Sequence, residues 1–413
     1  MGGWARAPRL AVSAGVVAAL AACGAAGGTP LVYRGNVAPV EAGTLTARDV
    51  AEAQTAFGVD LLHAVCERAA QQNVLLSPTS AAEALGLLYL AAGGPTAEAF
   101  RGVLHLPAWS PGLVAALREH TRVLDGLRYD GNPRDRDAPD SLQVSNHLWT
   151  ARGVTPAPRY LDEIATAFDA DVRALDFAGD ATEATNRINA TVDADTHGII
   201  ERLFDQPLDP ATTAVLTDAL YLKARWAVPF TSTRPAPFAA PSRTVTVDMM
   251  SGASGAGRAA AGWQSVELRY RDGTLAAVAL LPPEGTDPCA VDAPTLAALA
   301  AAAPGQVDVR LPRMKFEETH QLLEPLAALG LPVTGDYPAL GGNGQQISQV
   351  VQKTFLKVDE QGTEAAAATG AVTALSGRVP QQVVSFDRPF LFLLTDTETR
   401  SPLFAAVVRD PTA

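Results

Sequence analysis

An α+β fold with a single body is the reading that this 413-residue chain supports, and two features carry it. Patterns of helical period crowd the first half, while extended apolar runs crowd the second, the segregation expected of α+β rather than of alternating α/β folds. No stretch of linker composition separates them, and a chain that is 47% hydrophobic can bury one large core.

The elements follow in order. Arg6 and Arg9 precede the apolar run "LAVSAGVVAALAAC" at residues 10–23, which is short for a spanning helix and has the anatomy of an export signal. From Ala53, the spacing of Phe57, Leu61 and Val65 marks one face of a helix. A buried helix fits "LLSPTSAAEALGLLYLAAGG": Ser77 can cap it, Pro78 suits its first turn, and Gly93 and Gly94 stop it. In "ATEATNRINATVDADTHG" a third helix turns Ile188 and Val192 inward and ends at Gly198. Residues 214–226, 268–282, 350–360, 389–396 and 402–408 read as strands. The Gly-, Pro-, Ser- and Asp-rich stretches at 131–140 and 250–262 read as surface loops.

Composition excludes several functions. A formal charge of −12 with no basic cluster argues against a nucleic-acid partner. The six His are scattered, and C-x-x-C, H-E-x-x-H and G-x-S-x-G are absent, so neither a metal site nor a hydrolase is expected. Sequence distance does not fix spatial distance, so Cys66 and Cys289 do not by themselves establish a disulfide, and a buried thiol at Cys66 is the plain expectation.

One stretch resists that reading. "VDEQGTEAAAATGAVTALSGRVP", residues 358–380, starts as a strand and continues in small residues without apolar periodicity as far as Phe386. Connections that long are usually functional or disordered. An Ala-rich helix is opposed by Gly362, Gly370, Val372, Thr373 and Gly377. Laid out as a strand, the segment puts Thr363, Ala365, Ala367, Thr369, Ala371 and Thr373 on one face, none charged or bulky, with Glu364 on the other. It looks like a spare strand kept outside a sheet.

At this point the residues resemble the serpins. "VDEQGTEAAAATG" is similar to the hinge of inhibitory members, and "FDRPFLFLLTDTETRSPLFAAVVRDP" to the family's C-terminal signature. "NVLLSPTSAAEALGLLYLAAGGPT", "INATVDADTHGII", "TDALYLKARWAVPF", "VDMM" and "VRLPRMKFEETHQLLEPLAALG" fall in family order. The resemblance implies three β-sheets, about nine helices and an exposed reactive loop at about 361–385, within one domain at 49–413. It further implies a monomeric suicide inhibitor of serine proteases with no cofactor and no enzymatic activity of its own: the cut loop enters the sheet as a new strand and carries the acylated protease with it. A non-inhibitory binding or carrier member, and a cysteine-protease inhibitor, are the alternatives.

The implied roles fall on named residues. Glu360, Gly362, Thr363, Glu364 and Ala365, Ala366, Ala367 and Ala368 match the hinge. Trp226 matches the site of first loop entry, and Ser77 and Ser80 the region beneath the sheet that must open. In that region the family's usual His and Asn are here Gln352 and Asp218, a pair that can still hydrogen-bond. Counting forward from Glu360 sets the reactive bond at Ser376–Gly377, beside Leu375, and implies an elastase- or subtilisin-like target. Counting back from Phe386 selects Arg378–Val379 and a trypsin-like target. "LAAC" resembles the lipobox of bacterial lipoproteins, implying a signal at 1–22, lipid on Cys23, a tether at 23–48, and a place on the outer face of a membrane, or secretion if Cys23 is incidental.

Overall fold

The structure, a computed structural model, describes residues 29–41, 43–133, 135, 138–332, 334–363 and 382–413. Its helices are α1 (Ala47–Cys66), α2 (Pro78–Ala91), α3 (Gly94–Val103), α4 (Pro111–Asp125), α5 (Pro158–Phe168), α6 (Ala181–Asp195), α7 (Ala293–Ala301) and α8 (Leu323–Ala328). The strands are β1 (Leu31–Tyr33), β2 (Val74–Leu76), β3 (Ser141–Ala151), β4 (Val172–Leu175), β5 (Ala214–Arg225), β6 (Ser232–Ala240), β7 (Arg243–Ala260), β8 (Trp263–Arg269) and β9 (Leu275–Leu281). They continue through β10 (Gly305–Pro312), β11 (Met314–Gln321), β12 (Thr334–Tyr337), β13 (Gly342–Gln346), β14 (Gln349–Asp359), β15 (Gly362–Thr363), β16 (Val383–Ser385), β17 (Phe390–Asp396) and β18 (Pro402–Val408). Helices come early and strands late, as the α+β pattern requires.

Local chemistry accounts for the first helices. Thr46 and Asp49 form a reciprocal capping box that starts α1, and Phe57, Leu61 and Val65 face the core. Ser77 caps α2 through the Ser80 N–H, with Pro78 in the first turn. Beneath α6, Ile188 and Val192 join Trp149, Val215 and Val351 in a cluster that seats this helix on the outer face of the large sheet.

Three sheets organise the strands among the described residues. The large sheet runs β1-β4-β3-β5-β15-β14-β11. A nine-stranded sheet runs β16-β10-β7-β8-β9-β17-β18-β2 with β6 paired to β7, and β12 with β13 forms a small ribbon. The long β7 pairs with β6 over residues 243–251, with β10 over 249–257 and with β8 over 256–260. A core rich in Phe, Leu and Val fills the space between the two main sheets.

Three expectations change, while the helix number holds. The expected loop at 250–262 is the second half of β7: a Cβ on Gly255 would meet the Glu267 carbonyl at 2.6 Å and one on Gly257 the Val307 side chain at 2.7 Å, so small residues here mark tight strand packing rather than a loop. The expected strand at 268–282 is a hairpin, β8 turning into β9 around Gly273 (φ +76°). The eight α-helices among the described residues agree with the about nine expected. Residues read as tether include β1, which pairs with β4, and Asn36 and Ala38, whose N–H groups bond Asp162 and Thr166 of α5.

The cysteines also differ from expectation. Cys66, the last residue of α1, is disulfide-bonded to Cys289, with Cα atoms 6.4 Å apart, so the buried-thiol reading is corrected. Nothing in the local sequence signals the pair, because the fold brings together positions 223 apart.

The large sheet contains an opening. β5 and β14 pair in parallel from Val215–Gln349 to Tyr221–Phe355. Beyond that point they diverge and β15 lies between them, with Gly362 opposite Arg225 and Asp359, and Thr363 opposite Ala224 and Val358. Gly362 permits this approach, since an added Cβ would lie 2.0 Å from the Ala224 carbonyl oxygen.

Two outcomes follow. Thiol alkylation of the unfolded, unreduced chain should leave Cys66 and Cys289 unlabelled, and Cys66→Ala should lower urea-measured stability by about 2–5 kcal/mol; unchanged stability in reductant would contradict the bridge. Gly362→Ala should expel β15 and speed amide exchange at residues 224–225 and 362–363 several-fold, while exchange in β17 and β18 stays unchanged.

Candidate functional site

The site is built at the mouth of the opening and along the seam below it. At the mouth, the turn from β14 to β15 is held on every side. Trp226 donates its indole N–H to the Asp359 carbonyl at 3.0 Å and its backbone N–H to the Gln361 carbonyl at 2.9 Å. Its ring stacks on Tyr270 with centroids 4.4 Å apart and meets the edge of Phe230 at 6.2 Å, contacts worth about 1 kcal/mol each beyond burial. The Phe230 N–H reaches the Glu360 carbonyl at 3.0 Å.

Glu360 is clamped through its side chain. Arg313 Nε donates to both carboxylate oxygens at 2.9 and 3.0 Å, the Thr233 hydroxyl donates as well, and Arg313 also reaches Asp248 at 3.3 Å. Burial alone would raise the Glu360 pKa, but the hydrogen bonds from Arg313 and Thr233 outweigh it and hold the group below its ordinary value. Thr363, 1% exposed, shares a hydrogen bond between its hydroxyl and the Tyr270 phenol. Burial pushes that phenol up, so Tyr270 is a neutral partner. Burying a charged side chain at position 363 would cost its hydration, which favours a small neutral residue such as threonine at the entry.

Below the fork, one row of polar residues crosses four strands. Asn146 of β3 stands opposite Asp218 of β5, Asp218 opposite Gln352 of β14, and Gln352 opposite His320 of β11. The row faces the start of α2. Ser77 exchanges two bonds with Gln352, its N–H to Oε1 at 2.8 Å and its carbonyl from Nε2 at 2.9 Å. Gln352 Nε2 also donates to Asp218 across the seam. Ser80 Oγ contacts Asp218 Oδ1 and lies 2.9 Å from Asn146 Oδ1. Desolvation pushes Asp218 up to about 7 although Ser80 and Gln352 bond it, and the nearby Glu83 adds to the rise. His320 is lowered by burial, against a hydrogen bond to the Leu75 backbone.

The sequence-selected residues thus divide into groups. Trp226, Glu360, Gly362 and Thr363 meet at the mouth, and Ser77, Ser80, Asp218 and Gln352 meet in the row. Glu364, Ala365–Ala368, Leu375, Ser376, Gly377, Arg378, Val379 and Cys23 lie outside the described residues. Sequence reading missed Arg313, Thr233, Tyr270, Asn146 and His320. Only His320 left a usable signal, through the alternation of "KFEETHQ" that turns it to the same face as Phe316.

Comparison with known proteins is consistent across the chain. The family profile described as Serpin (serine protease inhibitor) matches residues 52–411. An uncharacterised serpin-like protein of Thermococcus kodakarensis is 32% identical over 82% of this chain and 81% of its own length. The leukocyte elastase inhibitor of Bos taurus is 30% identical over 87% of this chain and 98% of its own length. Among solved structures, human thyroxine-binding globulin complexed with thyroxine aligns with a TM-score of 0.76 at 25% identity, covering 89% of this chain and all of its own. The thermophilic serpin tengpin in its native state aligns at 0.79 and 23% identity, over 92% of this chain and 97% of its own, and bears on the fold alone. With the three-sheet architecture, the strand entering between β5 and β14 and the family match over residues 52–411, the chain belongs to the serpin family.

Proposed function

We propose that this serpin is an inhibitory one, a suicide substrate for serine proteases whose cut reactive loop continues the insertion that Gly362 and Thr363 begin. The observation that carries the reading is the position of those two residues between β5 and β14, followed in sequence by small residues with Glu364 as the sole charge through Gly377. A loop that starts inside the sheet and continues in strand-compatible residues can extend the same ladder.

The energy scale is adequate. About a dozen inserted residues at about 1 kcal/mol net per hydrogen bond give on the order of 10 kcal/mol, comparable to the roughly 5–15 kcal/mol that holds a domain folded. Insertion on that scale can distort a covalently attached protease before its acyl-enzyme hydrolyses. The leukocyte elastase inhibitor relative supports an elastase-like target, in line with Ser376–Gly377 as the reactive bond; Arg378–Val379 would make the target trypsin-like. Lipid on Cys23 would hold the inhibitor at the outer face of a membrane.

Incubation with elastase, subtilisin and trypsin separately should yield a denaturant-resistant complex with one of the first two, and mass spectrometry of the released C-terminal peptide should find Gly377 as its first residue; Val379 would move the bond to Arg378. Cleavage without a complex, and without a rise in thermal stability, would exclude inhibition and leave a binding or carrier role. For the anchor, the wild-type chain should partition into the detergent phase after export and Cys23→Ser should not; equal partitioning would rule out lipid at that position.

A further inference from the structure

The polar row lies where an advancing strand must pass. Position 218 is three residues below the last closed pair, Tyr221–Phe355, about 10 Å along the strand. A strand continuing inward from Thr363 therefore separates Asp218 from Gln352 before it reaches the lower half of the sheet.

The hydrogen count at this point has two solutions. Ser80 Oγ carries one hydrogen yet lies against two acceptor oxygens, Asp218 Oδ1 and Asn146 Oδ1. Asn146 Nδ2 donates to the Ser80 carbonyl at 3.2 Å, which makes its other terminal atom the acceptor. If Asp218 is ionised, Ser80 donates to it, Gln352 donates to its second oxygen, and Asn146 Oδ1 loses its donor. If Asp218 is protonated, it donates to Ser80, Ser80 donates to Asn146, and the bond from Gln352 becomes one between neutral groups. Charge-assisted bonds are about twice as strong as neutral ones.

We propose that Asp218 is a proton-operated latch on the seam: as a carboxylate it grips Gln352 across β5 and β14 and keeps the sheet closed, and as a neutral acid it turns to Ser80 and lets the strands part. The inference rests on the inhibitory reading, since it concerns the opening that insertion requires.

The surroundings fit the role. Around Asp218, α2 brings Glu83, whose carboxylate lies 3.6 Å from the His120 imidazole of α4, and β11 brings Glu318 and His320; β3 and β14 contribute the neutral Asn146 and Gln352. Burial raises Glu318 and lowers His320, each shift being toward the neutral form. A cavity of about 290 Å³ lined by Glu83, Asn146, His147 and Asp195 reaches the Asn146 end of the row.

Two pH effects of opposite sign distinguish the latch from simple stability. The folded chain holds the Asp218 proton up to about pH 7, against 3.8 for the ordinary group. That contribution to global stability is complete below the ordinary value and is lost as pH rises through 7. Opening runs the other way where Asp218 stays against Ser80 beneath α2: parting the seam removes the Gln352 bond that lowers its pKa while burial persists, so the open seam holds the proton more tightly than the closed one. Acid therefore stabilises the folded chain and eases its seam.

The test adds a labelled synthetic peptide of residues 363–374, TEAAAATGAVTA, to the intact, uncleaved chain and follows its incorporation on native gels at about pH 6 and about pH 8.5. The wild-type chain should incorporate it about tenfold faster at the lower pH, equivalent to about 1.4 kcal/mol. Asp218→Asn should be fast at both, and His320→Gln, whatever its absolute rate, should keep the wild-type pH dependence. In urea, wild-type stability should fall between the two pH values and that of Asp218→Asn should not, which also shows that the variant is folded. PH dependence that persists in Asp218→Asn, disappears in His320→Gln or has the opposite sign overturns the latch. Incorporation without pH dependence overturns the latch alone, whereas a peptide that enters under no condition overturns the insertion reading and the latch together.

Discussion

The parallel pairing of β5 with β14 at the centre of the large sheet is the constraint on which the rest of the structure depends. Parallel ladders have slanted bonds and are slightly weaker per residue than antiparallel ones. A strand entering between these two runs antiparallel to both, as β15 already does. Each further residue therefore replaces one weaker pairing by two stronger ones. On the proposed insertion, a sheet that is already complete gains by admitting another strand past the contacts at the mouth.

Those contacts divide the work. Trp226, stacked on Tyr270, holds the hinge turn by its backbone and indole N–H groups, and Arg313 with Thr233 anchors Glu360 at the outside of the turn. The hinge is thus fixed at its root, and whatever follows Thr363 can enter only from that point. The frame around it is braced elsewhere: the Cys66–Cys289 bridge ties α1 to the nine-stranded sheet side, Arg409 pairs with Asp287 beside that bridge, and β1 with residues 36–38 binds β4 to α5. These ties brace the periphery on either side of the β5–β14 seam.

How much of this could be read from the sequence depended on whether the information was local. Ser77 and Pro78 announced the start of α2, and the apolar runs of β5, β14, β17 and β18 announced themselves within a residue or two. The second half of β7 was misread because "SGASGAG" has loop composition, and its glycines make sense only once β8 and β10 are known to press against them. The disulfide, the Arg313 clamp on Glu360 and the Tyr270 partner of Thr363 are pairings over long sequence distance, for which composition and period carry no signal. At the candidate site, the hinge and the pair Asp218 and Gln352 were legible through family resemblance, while the position of His320 beside them required the strand register.

The substitutions at Asp218 and Gln352 show that resemblance and chemistry need not agree in the same place. A seam closed by an amide and an imidazole and one closed by a carboxyl group and an amide can satisfy the same backbone groups of α2, here the Ser77 N–H and carbonyl. The Ser77 backbone groups stay paired, so the closed seam can form with either set of residues. Titration is not kept, because the ionisable group now stands on β5 as an acid and the imidazole stands one strand away on β11, facing Gln352. On the inhibitory reading proposed above, the reactive bond at Ser376 or Arg378 lies apart from this row in sequence. Choice of protease and readiness of the sheet would then be set by separate residues, and either could change without the other.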